Sequence, residues 1–141
     1  MKLPLATGLL SAAVLAGCAG SSTQYVMRVD RMYDRSALQQ PQVPSDEIPP
    51  ESYRPAGPAD RWQVVIEGPK VVLTAIGEHP TKLTRLEGKE VPSGRPEERR
   101  FDLEGVLGGG RFLVHGDDAE LTLFGSGVPV VSSERGKLVT R

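Results

Sequence analysis

Beyond residue 62 the chain alternates between short apolar runs and glycine-rich breaks, a pattern that disfavours long helices. Trp62, Val64 and Ile66 recur at every second position, which is the period of a half-buried strand. Further apolar runs cover residues 71–76, 101–107, 112–115, 119–124, 128–132 and 138–140. We therefore predict an all-β domain over 62–141, a small antiparallel sandwich or barrel of about six or seven short strands. Charge and proline at 87–100 predict a mobile loop within it.

Prolines are concentrated just before this domain. Six of the twelve prolines lie between residues 41 and 58. Proline fixes φ and lacks a backbone N–H, so such a stretch disfavours both a helix and a central strand. We therefore predict a disordered, extended linker at 41–58, within a tether that covers residues 18–61. At about 3.1 Å per extended residue, this tether would hold the β domain up to roughly 100 Å from its start.

Residues 24–38 stand apart within the tether, because apolar side chains recur there near the spacing of a helix. Tyr25, Val29, Met32 and Tyr33 would share one face of that helix. An isolated helix of this length is marginal in water and needs a surface to pack on. Two interpretations remain open: a nascent helix or segment folded back on the β domain, and a partner-docking segment that folds on binding.

The first 17 residues have the pattern of a signal peptide. Lys2 precedes an uncharged, mostly apolar run at 3–17, which is shorter than the about 20 residues that a transmembrane helix needs. Cys18, the only cysteine, follows directly. The run Leu15-Ala16-Gly17-Cys18 resembles the lipobox of bacterial lipoproteins, in which the chain is cut before the cysteine and the cysteine is acylated.

This resemblance to bacterial lipoproteins covers only about the first 20 residues, but its motif is specific. It implies a diacylglyceryl group on the Cys18 sulfur and a third acyl chain on its amine, which together hold a protein stably at a membrane. Ala19 stands where lipoproteins retained in the inner membrane often carry aspartate. The resemblance therefore implies the periplasmic face of the outer membrane. An acylated Cys18 also leaves the chain no intramolecular disulfide.

Composition and motifs exclude several classes of function. The length after residue 17 suits one domain, and a net charge near −1 without a basic stripe argues against nucleic-acid binding. The glycine-rich run at 105–110 lacks the Lys-Ser/Thr pair of a phosphate-binding loop and precedes an apolar strand instead of a helix. We expect a flexible hairpin turn or a bulge there, and no cofactor.

Patterns that resemble metal or catalytic sites are weak. His115, Asp117 and Asp118 share one turn and His79 could approach them, but no cysteine or second histidine pair completes a zinc site. Ser126 lies between two glycines without the spacing of a nucleophile elbow. We therefore predict no metal site and no enzymatic activity.

Together these patterns predict a lipid-anchored, non-enzymatic protein that binds or scaffolds another component of the cell envelope. The order of anchor, tether and small β domain is similar in layout to accessory lipoproteins of envelope and secretion machines. Its partner would be an envelope protein or the cell wall, besides the membrane that its acyl chains enter. The alternative is a ligand-binding module that holds a lipid or glycan inside the β domain, which requires an internal cavity.

Overall fold

The computed structural model describes residues 22–34, 50–79, 82–105, 109–125 and 128–141. They form eight antiparallel strands that pair in chain order and close into a barrel. The strands are β1 (Thr23–Asp34), β2 (Arg54–Glu67), β3 (Lys70–Ala75), β4 (Arg85–Val91), β5 (Glu98–Glu104), β6 (Gly110–His115), β7 (Asp118–Gly125) and β8 (Val128–Thr140). A 3-10 turn, Pro50–Ser52, precedes β2. The prediction of an all-β barrel or sandwich is confirmed, in the form of the barrel.

The barrel has two ends. We call the end at which β1 begins the near end, and the opposite end the far end. At the near end β1 begins, β8 ends, and turns join β2 to β3, β4 to β5 and β6 to β7. At the far end β1 ends, β2 begins, and β3–β4, β5–β6 and β7–β8 are joined. The predicted glycine-rich hairpin falls between β5 and β6, at the far end.

Apolar side chains that alternate along the strands fill the barrel. Trp62, Phe101 and Phe112 are fully buried, and the two phenylalanine rings lie 6.2 Å apart. Smaller fully buried side chains pack around them: Met27, Val29, Val64, Val71, Leu73, Leu86 and Leu121. Burial of each such side chain is worth about 1.5–3 kcal/mol. An eight-stranded barrel is just wide enough for side chains to fill, and these residues fill it.

The segment with helical spacing is in fact part of the first strand, so the helix expected within 24–38 is wrong over 24–34. β1 pairs with β2 on one side and β8 on the other. Met27 and Val29 face the core at alternate positions, and the register shifts between Val29 and Arg31. This β-bulge adds one residue, so the next inward position falls on Met32. The resulting gap of three residues imitates the spacing of a helix.

Two prolines of the predicted linker lie within β2. Pro55 pairs with Arg31, beside the bulge in β1. The register of β2 with β3 begins only at Trp62, so the stretch 54–60 pairs with β1 alone. A strand that is paired on one side tolerates a missing N–H, and for that reason these prolines do not interrupt it.

These differences move the start of the β domain from residue 62 to residue 23. Only residues 19–22 separate Cys18 from Thr23, and this length of chain spans at most about 18 Å. Residues 41–58 belong to the connection between two paired strands and to β2, rather than to a long tether. Cys18, the predicted signal peptide at 1–17 and residues 35–49 lie outside the described residues.

Residues 87–100, predicted to be a mobile loop, instead contain the end of β4 and the start of β5. Arg99 Nη2 donates to Glu90 Oε1 and to the carbonyl oxygen of Gly68, at 2.8 Å each. The guanidinium also lies 5.1 Å from the ring centroid of Phe101. The hydrogen bond from Arg99 lowers the pKa of Glu90 below its ordinary value. The charged residues at the near end interrupt the alternation of apolar residues, so the sequence does not indicate strands here.

Candidate functional site

A groove crosses the outer face of strands β5 to β8. In the pairing register, Arg100, Leu113, Glu120 and Arg135 lie side by side across these four strands. They face outward because each of them has a buried neighbour in the chain: Phe101, Phe112, Ala119 and Glu134. The groove encloses about 470 Å³. Its charged lining consists of Arg95, Glu98, Arg100, Arg111, Glu120 and Arg135. We call this region the outer groove.

Tyr53 forms the far wall of the outer groove. The turn over Pro50–Ser52 brings it there, and Arg31 of β1 donates to its carbonyl oxygen at 3.3 Å. Its hydroxyl lies 2.9 Å from Ser133 Oγ and 3.3 Å from Glu120 Oε2. Burial, aided by the charge of Glu120, raises the pKa of this phenol above its ordinary value. The Tyr53 hydroxyl is therefore neutral, and it lines the groove as a hydrogen-bonding group.

Arg135 is the most firmly oriented cation of the groove. Its Nε donates to Glu120 Oε2 at 2.7 Å, and its guanidinium lies 4.0 Å from the ring centroid of Tyr53. Its side chain is nevertheless 42% exposed. A guanidinium has five N–H donors, so a bond through Nε leaves donors for a ligand. Arg135 is thus held in a fixed plane while it faces solvent.

Arg111 lies deeper in the same groove. Its side chain is 13% exposed, and Nη2 lies 3.9 Å from Glu120 Oε1. The guanidinium lies 5.5 Å from the ring centroid of Phe124. Glu120 therefore sits between two guanidinium groups. With four arginines against two glutamates in the lining, the outer groove keeps an excess of positive charge.

The groove continues toward the near end as a shallower section of about 330 Å³. This section shares Glu98 and Arg135 with the first and reaches Asp118 and Lys137. Lys137 forms ion pairs with Asp118 and with Asp117, the latter at 3.6 Å. The lining of this section has three cationic and four anionic side chains, so the positive excess is concentrated at the Tyr53 end.

A second polar cluster lies inside the barrel. Glu134 Oε1 accepts a hydrogen bond from Trp62 Nε1 at 2.8 Å, and Oε2 lies 3.1 Å from His79 Nε2 and 3.6 Å from Arg61 Nη1. Burial alone would raise the pKa of Glu134, but hydrogen bonds from His79 and Trp62 and the charge of Arg61 outweigh burial and lower it. His79 also packs on the Trp62 indole, with ring centroids 4.9 Å apart. The cluster joins the β3–β4 connection to β2 and β8, which indicates a structural role.

The residues predicted to dock a partner belong to the barrel. Val29, Met32 and Tyr33 are buried, and Tyr25 is half-buried against the core. These three side chains are covered in the folded barrel, Val29 within the core and Tyr33 beside the ring of Tyr53. The exposed docking face expected at 24–38 is therefore not formed by these four residues.

The residues of the weak metal pattern are separated. His79 lies beside Glu134 in the β3–β4 connection, at the far end, whereas His115, Asp117 and Asp118 lie at the near-end turn. Among the residues that the structure describes, no group of three or more His, Cys, Asp or Glu side chains is placed to hold a metal ion. Ser126 lies outside these residues.

Sequence reasoning missed the outer groove. Its charged residues are spread over residues 95–135 and carry no shared motif. The available signal was that Arg100, Arg111, Glu120 and Arg135 occupy outward positions of successive strands. That signal becomes readable only when the pairing register is known.

Comparisons with protein-family models, with curated proteins and with solved structures gave no match. Within the part of the chain that the structure describes, no helix has the length and apolar character needed to span a bilayer.

Proposed function

We propose that this protein is a lipid-anchored, non-enzymatic binding protein at the periplasmic face of the outer membrane, and that its outer groove binds an acidic segment of an envelope protein. The location is supported by the resemblance of residues 15–18 to a lipobox. The binding role is supported by one observation above all, the excess of arginine in an open groove across four strands.

The chemistry of the groove favours a carboxylate-bearing ligand. Guanidinium groups form paired, charge-assisted hydrogen bonds with carboxylates and phosphates. Glu120 and Tyr53 orient Arg135 in advance, which lowers the cost of ordering it on binding. Four strands at about 4.8 Å spacing give the groove a length of about 15 Å, which accommodates four or five residues of an extended peptide.

The hydroxyl groups near the groove favour binding over catalysis. Thr122 Oγ1 and Ser133 Oγ lie 3.1 Å apart, and both residues are buried beneath Tyr53. A nucleophile needs an adjacent base and an open approach to the substrate. These hydroxyls instead support the wall of the groove.

The interior alternative is less well supported. A lipid or glycan held inside the barrel needs a cavity where Trp62, Phe101 and Phe112 are packed. We therefore assign the ligand to the outer face.

Removal of one groove charge is expected to weaken binding of an acidic peptide. With a short fluorescent oligoglutamate as the probe and the mature chain in detergent, Arg135→Gln and Arg100→Gln should each raise the Kd about tenfold, because each removes a charge-assisted hydrogen bond. Fluorescence anisotropy measures the Kd. Arg85→Gln is the matched control, since Arg85 is exposed on β4 and pairs with Glu87 at 3.1 Å, outside the groove.

Equal weakening by Arg85→Gln would show that binding depends only on net charge and would contradict binding of the peptide in the outer groove. Isolated cell-wall sacculi serve as the second probe in a co-sedimentation assay. Sacculi that bind in an Arg135-dependent way, while the peptide does not bind, would assign the acidic ligand to the cell wall instead of a protein.

The anchor has its own test. The intact mass of the mature protein is expected to correspond to a chain that begins at Cys18 and carries acyl groups. Cys18→Ser should abolish the added mass and release the protein from the membrane fraction, because the acylated sulfur is lost. A mature chain that begins at another residue would contradict the proposed location.

A further inference from the structure

The start of β1 restricts how far the barrel can lie from its anchor. If Cys18 carries the acyl chains, as the proposed function states, the near end of the barrel lies within about 18 Å of the acylated residue. The distance of the near end from the membrane therefore depends on the proposed acylation of Cys18. A link this short keeps the near end close to the lipid headgroups, whereas the far end lies a barrel length away.

Apolar side chains cover part of the outer surface at this end. Val26 of β1 pairs with Val139 of β8, and Val65 of β2 pairs with Val72 of β3. All four face outward, because core residues lie next to them in the chain: Met27, Val64, Ile66, Val71, Leu73 and Leu138. Val139 is 46% exposed and the other three are half-buried. We call these four residues the near-end patch.

The near-end patch differs from the outer surface beside it. The outward positions of β4 are Arg85, Glu87 and Lys89, all charged and exposed. Lys70 and Lys89 lie side by side at the rim of the near end, next to Glu67. Apolar side chains bordered by lysine suit the boundary between headgroups and acyl chains, where lysine extends its ammonium into water.

We propose that the near-end patch rests on the headgroup layer of the membrane that holds the Cys18 acyl chains. The patch is too small to bind a bilayer alone, but an anchor within about 18 Å keeps it at a high effective concentration beside the surface. In this orientation the outer groove, on β5–β8, opens sideways above the membrane, and the far end points into the periplasm. The partner of the groove is then one that approaches along the membrane surface.

Two exposed apolar residues provide a matched pair for the test. Val139 lies at the near end and Ile76 follows β3 at the far end, with 46% and 40% exposure. Val139→Cys and Ile76→Cys are each labelled with a fluorophore in the full, acylated protein. Acylated Cys18 has no free thiol and is the only native cysteine, so each variant takes a single label. The proteins are reconstituted into vesicles of phosphatidylethanolamine and phosphatidylglycerol that contain headgroup-spin-labelled lipid.

We expect several-fold stronger quenching of the label at residue 139 than of the label at residue 76. Equal quenching, or stronger quenching at 76, in protein whose intact mass shows the acyl chains would overturn this orientation and leave the anchor intact. Energy transfer between labels at 139 on two copies, without lipid quenching, would assign the patch to a dimer and also overturn it. A mass without acyl chains would overturn the anchor and this inference together. Unchanged thermal unfolding of both variants confirms that the labels report on the folded barrel.

Discussion

Gly136→Ala is expected to destabilise the barrel by about 3 kcal/mol or more, a large share of the about 5–15 kcal/mol that such a domain has. Gly136 pairs with Val29 of β1 at the bulge. A Cβ at this position would overlap the carbonyl oxygen of Arg28 and lie 2.9 Å from the Cα of Val29. Both are backbone atoms, so relief requires the β1–β8 seam to move. Urea unfolding followed by circular dichroism measures the effect.

Two further variants compare Gly136→Ala with a smaller steric overlap and with an exposed position on the same strand. At Gly88 a Cβ would lie 2.6 Å from the carbonyl oxygen of Asp102 and 2.7 Å from a side-chain carbon of Leu103, so Gly88→Ala should cost less than Gly136→Ala. Thr140→Ala is the control on β8, since Thr140 is exposed, and we expect a change within about 0.5 kcal/mol. Equal stability of Gly136→Ala and Thr140→Ala would show that the seam is looser than described.

Glu134→Ala is expected to cost about 3–5 kcal/mol, because it removes the acceptor from a buried charged network. The variant leaves Trp62 Nε1 and His79 Nε2 without the carboxylate that they contact at 2.8 and 3.1 Å. Glu134→Gln keeps the shape and one acceptor oxygen, so its cost at neutral pH should be smaller. Urea unfolding of the three proteins at neutral pH gives the order wild type, Gln variant, Ala variant.

The same residue predicts a dependence of stability on pH. The pKa of Glu134 in the folded barrel lies below its ordinary value of 4.5, so the unfolded chain takes up this proton first as pH falls. The stabilisation is therefore present above about pH 4.5 and is lost as pH falls through the lower pKa of the folded state. Glu134→Gln should lose less stability than the wild type between neutral pH and this acidic range. Parallel losses in the two proteins would contradict a stabilising Glu134 carboxylate.

The sequence was informative where one residue in two is apolar and the strand is regular. Trp62, Val64 and Ile66 show this period, and β2 is inward-facing at those three positions. β1 could not be recognised in this way, because the bulge after Val29 changes the period of its apolar residues from two to three. The start of β2 could not be predicted, because Pro55 disfavours a strand in the sequence. The residue is tolerated since this part of β2 pairs on one side only, which is a property of the sheet and not of the local sequence.

The candidate site was harder to predict than the fold. Arg100 and Arg135 are 35 positions apart in the chain and become neighbours of Leu113 and Glu120 only through the register of four strands. Tyr53 falls within the stretch that the sequence predicts to be a tether, yet it reaches Ser133 through a turn that carries no strong motif. Cys18 is the opposite case, because a local motif predicts its acylation without any knowledge of the fold.

The pairing of the first strand with the last determines when the barrel can form. Tyr25 pairs with Thr140, so the seam joins the beginning and the end of the domain. A chain that emerges from its N-terminus presents β1 long before β8 exists, and contacts of such sequence separation form slowly. If the protein is secreted, as its proposed location requires, the barrel remains open until its final strand has been delivered. In that case the proposed acylation of Cys18 before delivery of β8 takes place on an unfolded chain, and closure of the seam afterwards keeps residue 18 close to the finished domain.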